Sequence, residues 1–443
     1  MKTVRIGAGA GYSGDRIDPA VELAARGSLS YLVFECLAER TIAIAQKARL
    51  LDPAVGFDPL LEERLEAVLP LCNENRIRII SNMGAANPQA AAAKARDVAR
   101  RLGLRGLRFA AVTGDDILPV VRSSSLFLES MEGTLPSVDK WVSANAYVGA
   151  LPIVEALNQG ADVILTGRVA DPALFLAPLI YEFAWSLDDW NTLGQGTVVG
   201  HLLECAGQLT GGYFADPGYK DVPNLAALGF PIAEVQSDGA AVFTKVEGSG
   251  GLLNRATCTE QLLYEIQDPA SYFTPDVVAD FSHVSIEEVG RDRVRVFGGK
   301  GRTRPSTLKV SIGYHDGYIG EGQISYAGPN AMRRAELARE ILTKRLGGAD
   351  VSELRVDFIG IDSIHGPYLS RNAPIPYEVR LRAAARAGSL RSAARVPREV
   401  EALYTNGPAG GGGATGSTRE VIAIISALIP REAVSHQIHF LES

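Results

Sequence analysis

A histidine and a glutamate three positions apart are the most direct candidates for acid–base chemistry in this sequence. His201 and Glu204 stand within the segment Gly200–Cys205, and residues with this spacing share one face of a helix. Such a pair could transfer protons or contribute to a metal site, although the sequence identifies no metal. A hydrogen bond on a helix surface explains the same spacing more simply. His365, at the expected end of a strand, is a second acid–base candidate with a similar structural alternative.

Polar side chains also follow several apolar runs that we predict to be buried strands. These side chains are Asp15, Glu35, Asn82, Asp115 and Arg168. The ligand crevice of a parallel α/β sheet lies at the carboxyl ends of its strands. We therefore expect the five to meet at one rim, with Asp15 and Glu35 as catalytic candidates and the others as contacts to a substrate.

Arg168 has two interpretations. A guanidinium after a buried strand could clamp a carboxylate or a phosphate group. Asp171 follows three residues later, and a pair between the two side chains would instead fix the loop. The sequence does not separate these alternatives.

The first strand leads into a glycine-rich segment, Gly7–Arg16. Glycines allow backbone N–H groups to approach an anion, and a following helix N-terminus adds positive potential. A nucleotide loop is disfavoured because acidic Asp15 comes so early after the glycines, and a tight turn that closes a sheet is the structural alternative. The candidate ligand contacts of this segment are Gly9, Gly11, Ser13 and Arg16.

A second glycine-rich loop spans residues 407–416 and contains four consecutive glycines. We predict a helix over Thr418–Leu428, so the loop would precede a helix N-terminus and could bind phosphate or carboxylate. It is not a Walker loop because no lysine follows. A mobile surface loop or a subunit contact is the alternative. The candidate contacts are Asn406, Gly410, Gly411 and Gly412.

The elements that would position these residues predict an α/β fold with two domains. In the first, residues 1–285, strand, polar loop and helix alternate, which indicates a βα-repeat domain with a mainly parallel sheet. A doubly wound sheet and a barrel both fit this pattern. The second, residues 286–443, is predicted to be a smaller α+β domain that contains the loop 407–416.

Composition excludes several classes of protein. The chain has 443 residues, of which 46% are hydrophobic, and a net charge of -7, so a nucleic-acid partner is disfavoured. No apolar run approaches the ~20 residues of a membrane helix, and no signal peptide is evident. Four scattered cysteines are typical of a reduced, cytoplasmic protein. We expect a homo-oligomer with a small-molecule substrate and no evident cofactor.

Ten segments along the chain together resemble the acyclic terpene utilisation family AtuA. They extend from the first strand to the C-terminal glycine loop, and several are long and unusual in composition. The segments are GAGAGYSGDR from Gly7, FECLAERT from Phe34, ISNMGAANP from Ile80, SANAYVGA from Ser143, TGRVADPA from Thr166, GHLLECAGQLTGG from Gly200, GFPIAE from Gly229, EQLLYEIQDP from Glu260, GEGQISYAGPNA from Gly320 and YTNGPAGGGG from Tyr404.

The resemblance implies a cytosolic protein of citronellol and geraniol breakdown or of a related branched acyl-CoA pathway. It also implies an association with geranyl-CoA carboxylase and enoyl-CoA hydratase functions, but it supplies no catalytic residues. Our leading hypothesis is an enzyme of hydratase, lyase or isomerase type that acts on an acyl-CoA or a small carboxylate, with a CoA thioester as a candidate substrate. The alternative is a non-catalytic binding or assembly subunit. Clustering of the acidic residues, His201 and both glycine loops around one cleft would favour the enzyme, and finding them on opposite faces would exclude it.

Overall fold

The computed structural model describes residues 2–123, 128–131, 133–348, 350–372 and 374–443. Its strands are β1 (Val4–Ala10), β2 (Tyr31–Phe34), β3 (Arg78–Ser81), β4 (Arg108–Thr113), β5 (Glu129–Ser130), β6 (Trp141–Ala146), β7 (Val163–Thr166), β8 (Pro231–Val235), β9 (Ala241–Lys245), β10 (Tyr272–Phe273), β11 (Val278–Asp280), β12 (Ser285–Gly290), β13 (Arg293–Phe297), β14 (Lys300–Arg302), β15 (Thr307–Ala327), β16 (Val351–Ile359), β17 (Glu378–Ala387), β18 (Gly412–Pro430) and β19 (Gln437–Glu442).

The α-helices are α1 (Asp18–Arg26), α2 (Glu39–Leu51), α3 (Leu61–Asn75), α4 (Pro88–Arg101), α5 (Leu118–Ser123), α6 (Leu151–Asn158), α7 (Ala173–Phe183), α8 (Trp190–Glu204), α9 (Arg255–Leu263), α10 (Ala331–Leu346), α11 (Gly366–Ser370), α12 (Leu390–Ala393), α13 (Arg395–Glu401) and α14 (Leu403–Asn406). No helix of the described residues combines the length and the apolar character needed to cross a bilayer.

The chain divides into two compact units. Unit 1 contains Met1–Gly313 and Ile424–Ser443, and unit 2 contains Tyr314–Ala423. This division differs from the predicted domains 1–285 and 286–443. The division differs because strands from the predicted second domain pair with strands of the first. Strand β13 pairs with β9, and β19 pairs with β4, so β13 and β19 belong to the sheet of unit 1.

Unit 1 is built on a ten-stranded mixed sheet in the order β12-β13-β9-β8-β1-β2-β3-β7-β4-β19. The five strands from β1 to β4 in this order are parallel to one another. The pairings outside them are antiparallel. The α/β prediction is confirmed, but the sheet is mixed rather than mainly parallel. Its described strands end at β12 and β19, so they do not close into a barrel.

The central parallel strands are buried on both faces. Strand β2 has the sequence YLVF and β7 has the sequence VILT, and every residue of both is buried. Continuous apolar runs of this kind are typical of parallel strands covered by helices on both sides. Helix α4 begins where the Asn87 side chain accepts a hydrogen bond from the N–H of Ala90, which is a stabilising N-cap.

Unit 2 contains the pairing of β16 with β17 and of β17 with the second half of β15. Its core is formed by side chains of these strands and of α10 and α13, including Ile324, Tyr326, Phe358, Leu381 and Val396.

The predicted helix Thr418–Leu428 is wrong, since these residues belong to strand β18. The run from Val421 to Ile425 is rich in β-branched side chains, which favour a strand over a helix.

Candidate functional site

A cavity of about 570 Å³ lies in unit 1 at the carboxyl ends of β1 and β2, beside the last turn of α8. Its wall is formed by the loops that follow the two strands, by Asp171 in the loop after β7, by the end of α8 and by three later segments of the chain. The lining residues are Gly11, Tyr12, Asp15, Arg16, Glu35, Leu37, Ala38, Glu39, Asp171, Glu204, Cys205, Gly207, Gln208, Gly212, Tyr213, Leu225, Leu228, Phe230, Tyr264 and Glu265.

Glu35 enters this cavity directly after β2. Its Oε1 accepts hydrogen bonds from the N–H of Leu37 and from Nδ2 of Asn82, both at 2.8 Å. The Asn82 Oδ1 accepts a further bond from the N–H of Cys36 at 2.7 Å, so Asn82 fixes the loop from both ends of its amide. Burial raises the pKa of Glu35 well above its ordinary value, and the lowering effect of Arg168 does not offset it.

His201 and Glu204 lie together at the end of α8, as their helical spacing predicted, and both are buried. The His201 Nδ1 lies 2.9 Å from Oε1 of Glu204. The imidazole packs against the rings of Tyr272 and Phe281, each with its centroid 5.4 Å away, and these two rings also contact each other at 5.1 Å. The remaining polar atoms of the pair, Nε2 and Oε2, have no hydrogen-bond partner among the described residues.

The two members of this pair shift each other's protonation. Burial raises the pKa of Glu204 to about 7, against the lowering effect of His201. Burial lowers the pKa of His201, but the Glu204 carboxylate more than offsets this, so the pKa is raised. Both groups therefore retain a proton to a higher pH than they would in water.

Arg168 follows β7 and is fully buried at 1% exposure. Its side chain donates to the carbonyl groups of Leu37 and Val169 and to the carboxylate of Asp171. The guanidinium also lies over the ring of Tyr147, at 4.7 Å from the centroid. These contacts correspond to the loop-fixing alternative, because Arg168 does not line the cavity whereas Asp171 does.

Asp115 also holds the loop after β7 that contains Arg168. Its Oδ2 accepts hydrogen bonds from the N–H of Arg168 at 2.9 Å and from Nδ2 of Asn145 at 2.8 Å. Burial raises the pKa of Asp115 to about 6. Like Asn82, this predicted substrate contact lies outside the cavity lining. Asp115 holds Arg168, which in turn pairs with the lining residue Asp171.

The loop after β1 is shaped by a buried arginine that sequence reasoning missed. Arg64 of α3 is 0% exposed and donates to the carbonyl groups of Ser13, Asp15 and Tyr12 at 2.7, 3.2 and 3.4 Å. It also pairs with the carboxylate of Asp58 at 3.1 Å. Leu61 and Val68 share its helix face and are also buried.

The burial of Arg64 could have been predicted from the sequence. A charged residue within an apolar stripe of a helix indicates a buried polar contact.

Asp15 closes the same loop. Its carboxylate accepts hydrogen bonds from the N–H of Gly11 at 2.9 Å and of Arg16 at 2.8 Å. The Arg16 guanidinium in turn pairs with the exposed Asp18 at the start of α1. Of the candidate residues of this segment, Gly11, Asp15 and Arg16 line the cavity, whereas Gly9 and Ser13 do not.

Gly9, Gly11 and Gly14 also have the G-x-G-x-x-G spacing of a dinucleotide loop. The structure gives the first two a packing role. A Cβ at Gly9 would lie 2.6 Å from the Phe34 ring, and one at Gly11 would lie 2.6 Å from the backbone of Cys205. The Gly11 amide is already bonded to Asp15, so it is not free to contact a phosphate group.

The second glycine loop and His365 belong to unit 2, whereas the described residues that line the cavity all belong to unit 1. Asn406 ends the short helix α14, and Gly412 begins strand β18. The loop therefore does not lead into a helix, and the physical reason for expecting an anion at Gly410, Gly411 and Gly412 no longer applies. His365 is exposed at the start of α11.

The cavity is both acidic and apolar. Within the described part of the chain, its lining has one basic side chain, Arg16, and six carboxyl groups, those of Asp15, Glu35, Glu39, Asp171, Glu204 and Glu265. No described group of three or more acidic, histidine or cysteine side chains has an arrangement that could hold a metal ion. Carboxyl groups that remain protonated near neutral pH beside an apolar wall are suited to proton transfer.

Comparison with known proteins identifies one family. A family model described as "Acyclic terpene utilisation family protein AtuA" matches residues 4–440. Neither the curated proteins nor the solved structures give a significant match to the chain. The family match includes every residue of the cavity lining.

Proposed function

Because this chain belongs to the acyclic terpene utilisation family AtuA, we propose that it is an enzyme that performs acid–base chemistry on a branched, acyclic terpenoid acyl thioester. The family name implies a part in acyclic terpene utilisation. The reaction would be of hydratase, lyase or isomerase type. The CoA thioester is the substrate class that we favour.

One observation carries the proposal: two carboxyl groups, Glu35 and Glu204, line one cavity and hold their protons unusually strongly. Hydration, elimination and double-bond migration each require a proton at one atom and its removal from another. Two carboxyl groups in different environments can divide these tasks. Asp171 interacts electrostatically with both, so all three belong to one electrostatic unit.

The two carboxyl groups would have different roles. Glu35, with its pKa raised well above the ordinary value, keeps its proton to a higher pH than a free carboxyl group, and in that form it can donate a hydrogen bond to a carbonyl oxygen. Glu204, which has a pKa of about 7 and contacts the His201 imidazole, can change protonation near neutral pH. We assign the general acid or electrophile to Glu35 and the proton-exchanging group to Glu204.

The charge of the cavity favours a thioester over a free carboxylate as the group that reaches it. A substrate carboxylate would be repelled by the acidic lining, including Glu39, whose pKa is about 2 because its bonds to Tyr147 and Lys309 outweigh burial. A thioester carbonyl is neutral and can accept a hydrogen bond from a protonated carboxyl group. The phosphate groups of CoA would then lie outside the cavity.

The test is turnover of branched enoyl and hydroxyacyl CoA thioesters by the full chain and by Glu35→Gln and Glu204→Gln. We expect either substitution to lower kcat at least about 100-fold, the effect typical of losing a general acid or base. The thioester should still raise the Tm of both variants. Glu66→Gln, at a half-exposed glutamate of α3, is the control and should retain full activity.

Two results would overturn the proposal. One is turnover that is unchanged in both variants. The other is a thioester that raises the Tm without turnover in any member of the panel, which would support a non-catalytic binding subunit.

A further inference from the structure

A second depression of about 1100 Å³ adjoins the carboxyl-lined cavity, and Tyr264 and Glu265 belong to the walls of both. We propose that this depression, here called the apolar groove, is a second subsite that binds the hydrocarbon chain of the substrate while the polar end occupies the cavity. The inference rests on the proposed function and extends it to chain-length selectivity.

The groove exposes large apolar side chains that a soluble surface normally covers. Tyr219 is 88% exposed and Leu263 is 59% exposed, and Phe214 and Leu252 form further parts of the wall. Exposed apolar side chains within a concave surface indicate a binding site.

The boundary between groove and cavity is held in a strained backbone conformation. Glu265 has φ of +59°, and Tyr213, on the cavity side, has φ of +61° and is 85% exposed. Non-glycine residues adopt such angles at an energetic cost, and they cluster at ligand sites. The turn at Glu265 follows α9 within two residues, so the helix end sets the position of the shared wall.

The charges of the groove select an uncharged chain over a phosphate-bearing group. Lys220 pairs with Glu260 and lies 4.8 Å from the centroid of the Phe214 ring. The basic side chains of the groove are Lys220 and Arg255, and they are outnumbered by Asp221, Glu260, Glu265 and Glu288. The nucleotide part of CoA would be repelled here, whereas an unsaturated hydrocarbon chain would bury apolar surface.

The experiment measures binding of prenol, geraniol and farnesol, which carry one, two and three isoprene units, by calorimetry with the full chain. We expect the affinity to rise at least about tenfold from prenol to geraniol, because each buried CH₂ adds binding free energy. Leu263→Asp should lower the affinity for geraniol at least about tenfold and leave prenol binding unchanged.

The matched control is Leu50→Asp, since Leu50 is 66% exposed on α2 and belongs to neither wall. It should change neither affinity. Tyr219→Ser provides a second, milder test of the groove and should also weaken geraniol binding selectively. Equal effects of Leu263→Asp and Leu50→Asp, or an affinity independent of chain length, would overturn the inference.

The outcome is separable from that of the proposed function. Glu35→Gln and Glu204→Gln should retain the dependence on chain length, because they do not belong to the groove. If turnover is absent but the dependence persists, the acid–base proposal fails and the groove stands. If turnover depends on the carboxyl groups but Leu263→Asp binds geraniol normally, the groove alone fails.

Discussion

Charged side chains cluster at both ends of strand β1, and the two clusters behave in opposite ways. Near its amino end, Glu234 binds two arginines, Arg5 and Arg293. Burial raises the pKa of Glu234, but these arginines outweigh it and the pKa is lowered. At the carboxyl end, about 20 Å away for six residues of strand, the pKa values of Glu35 and Glu204 are raised.

The difference does not come from a lack of cations near the cavity. Arg64 and Arg168 are both fully buried there. They donate mainly to backbone carbonyl groups, such as those of Ser13 and Leu37, and therefore shape loops instead of neutralising Glu35 and Glu204. The raised pKa values of Glu35 and Glu204 thus coexist with buried arginines that are directed mainly to the main chain.

The largest expected effect comes from removing one of these loop-shaping arginines. Arg64→Met should reduce the free energy of unfolding by about 3–5 kcal/mol, because Asp58 would become an unpaired buried charge. Urea denaturation measures this. Arg101→Met, at exposed pairs with Glu62 and Glu66, should cost less than about 1 kcal/mol. Comparable losses in the two variants would contradict the role of Arg64.

The second prediction concerns the sign of the pH dependence at the cavity. The pKa of Glu204 is raised from 4.5 to about 7 on folding, so the folded state binds more protons and stability falls as pH rises through this window. The raised pKa of His201 acts in the same direction. Glu204→Gln, a neutral mimic of the protonated form, should flatten the decline between about pH 4.5 and pH 7, as measured by urea denaturation at a series of pH values.

The opposite slope at Glu234 is the smallest effect. The pKa of Glu234 is lowered on folding, so its carboxylate stabilises the folded state fully above the pKa of the unfolded state, near 4.5. This stabilisation is lost as the pH falls through the pKa of the folded state. Glu234→Gln should cost about 1 kcal/mol or less at pH 7 and weaken only the acid limb of the stability curve. If Glu204→Gln and Glu234→Gln altered the same pH window, the contrast between the two ends of β1 would not hold.

Local patterns in the sequence predicted the parts of the site that depend on nearby residues. The run YLVF ahead of Glu35 predicted a buried strand with a polar residue at its end. The spacing of His201 and Glu204 predicted their contact. Both features depend only on the period of a strand or a helix.

Features that depend on contacts between distant parts of the chain could not be predicted from local sequence patterns. The antiparallel strands on both sides of the central five are determined by partners far away in the chain. Residues 418–428 follow glycines, serine and threonine, which resemble a helix cap, yet their β-branched side chains form a strand. The Arg64 contact joins residues about fifty positions apart, so only its presence within an apolar helix face was visible.

The pairing of β19 with β4 has a consequence for the order of events during synthesis. The final strand, Gln437–Glu442, pairs with Arg108–Thr113 more than three hundred residues earlier. The ribosome must therefore translate almost the whole chain before this edge of the sheet can form. Unit 2 has all its residues by Ala423, and domains generally fold as units during translation. The unit that carries the cavity can therefore complete its sheet only when translation is nearly finished.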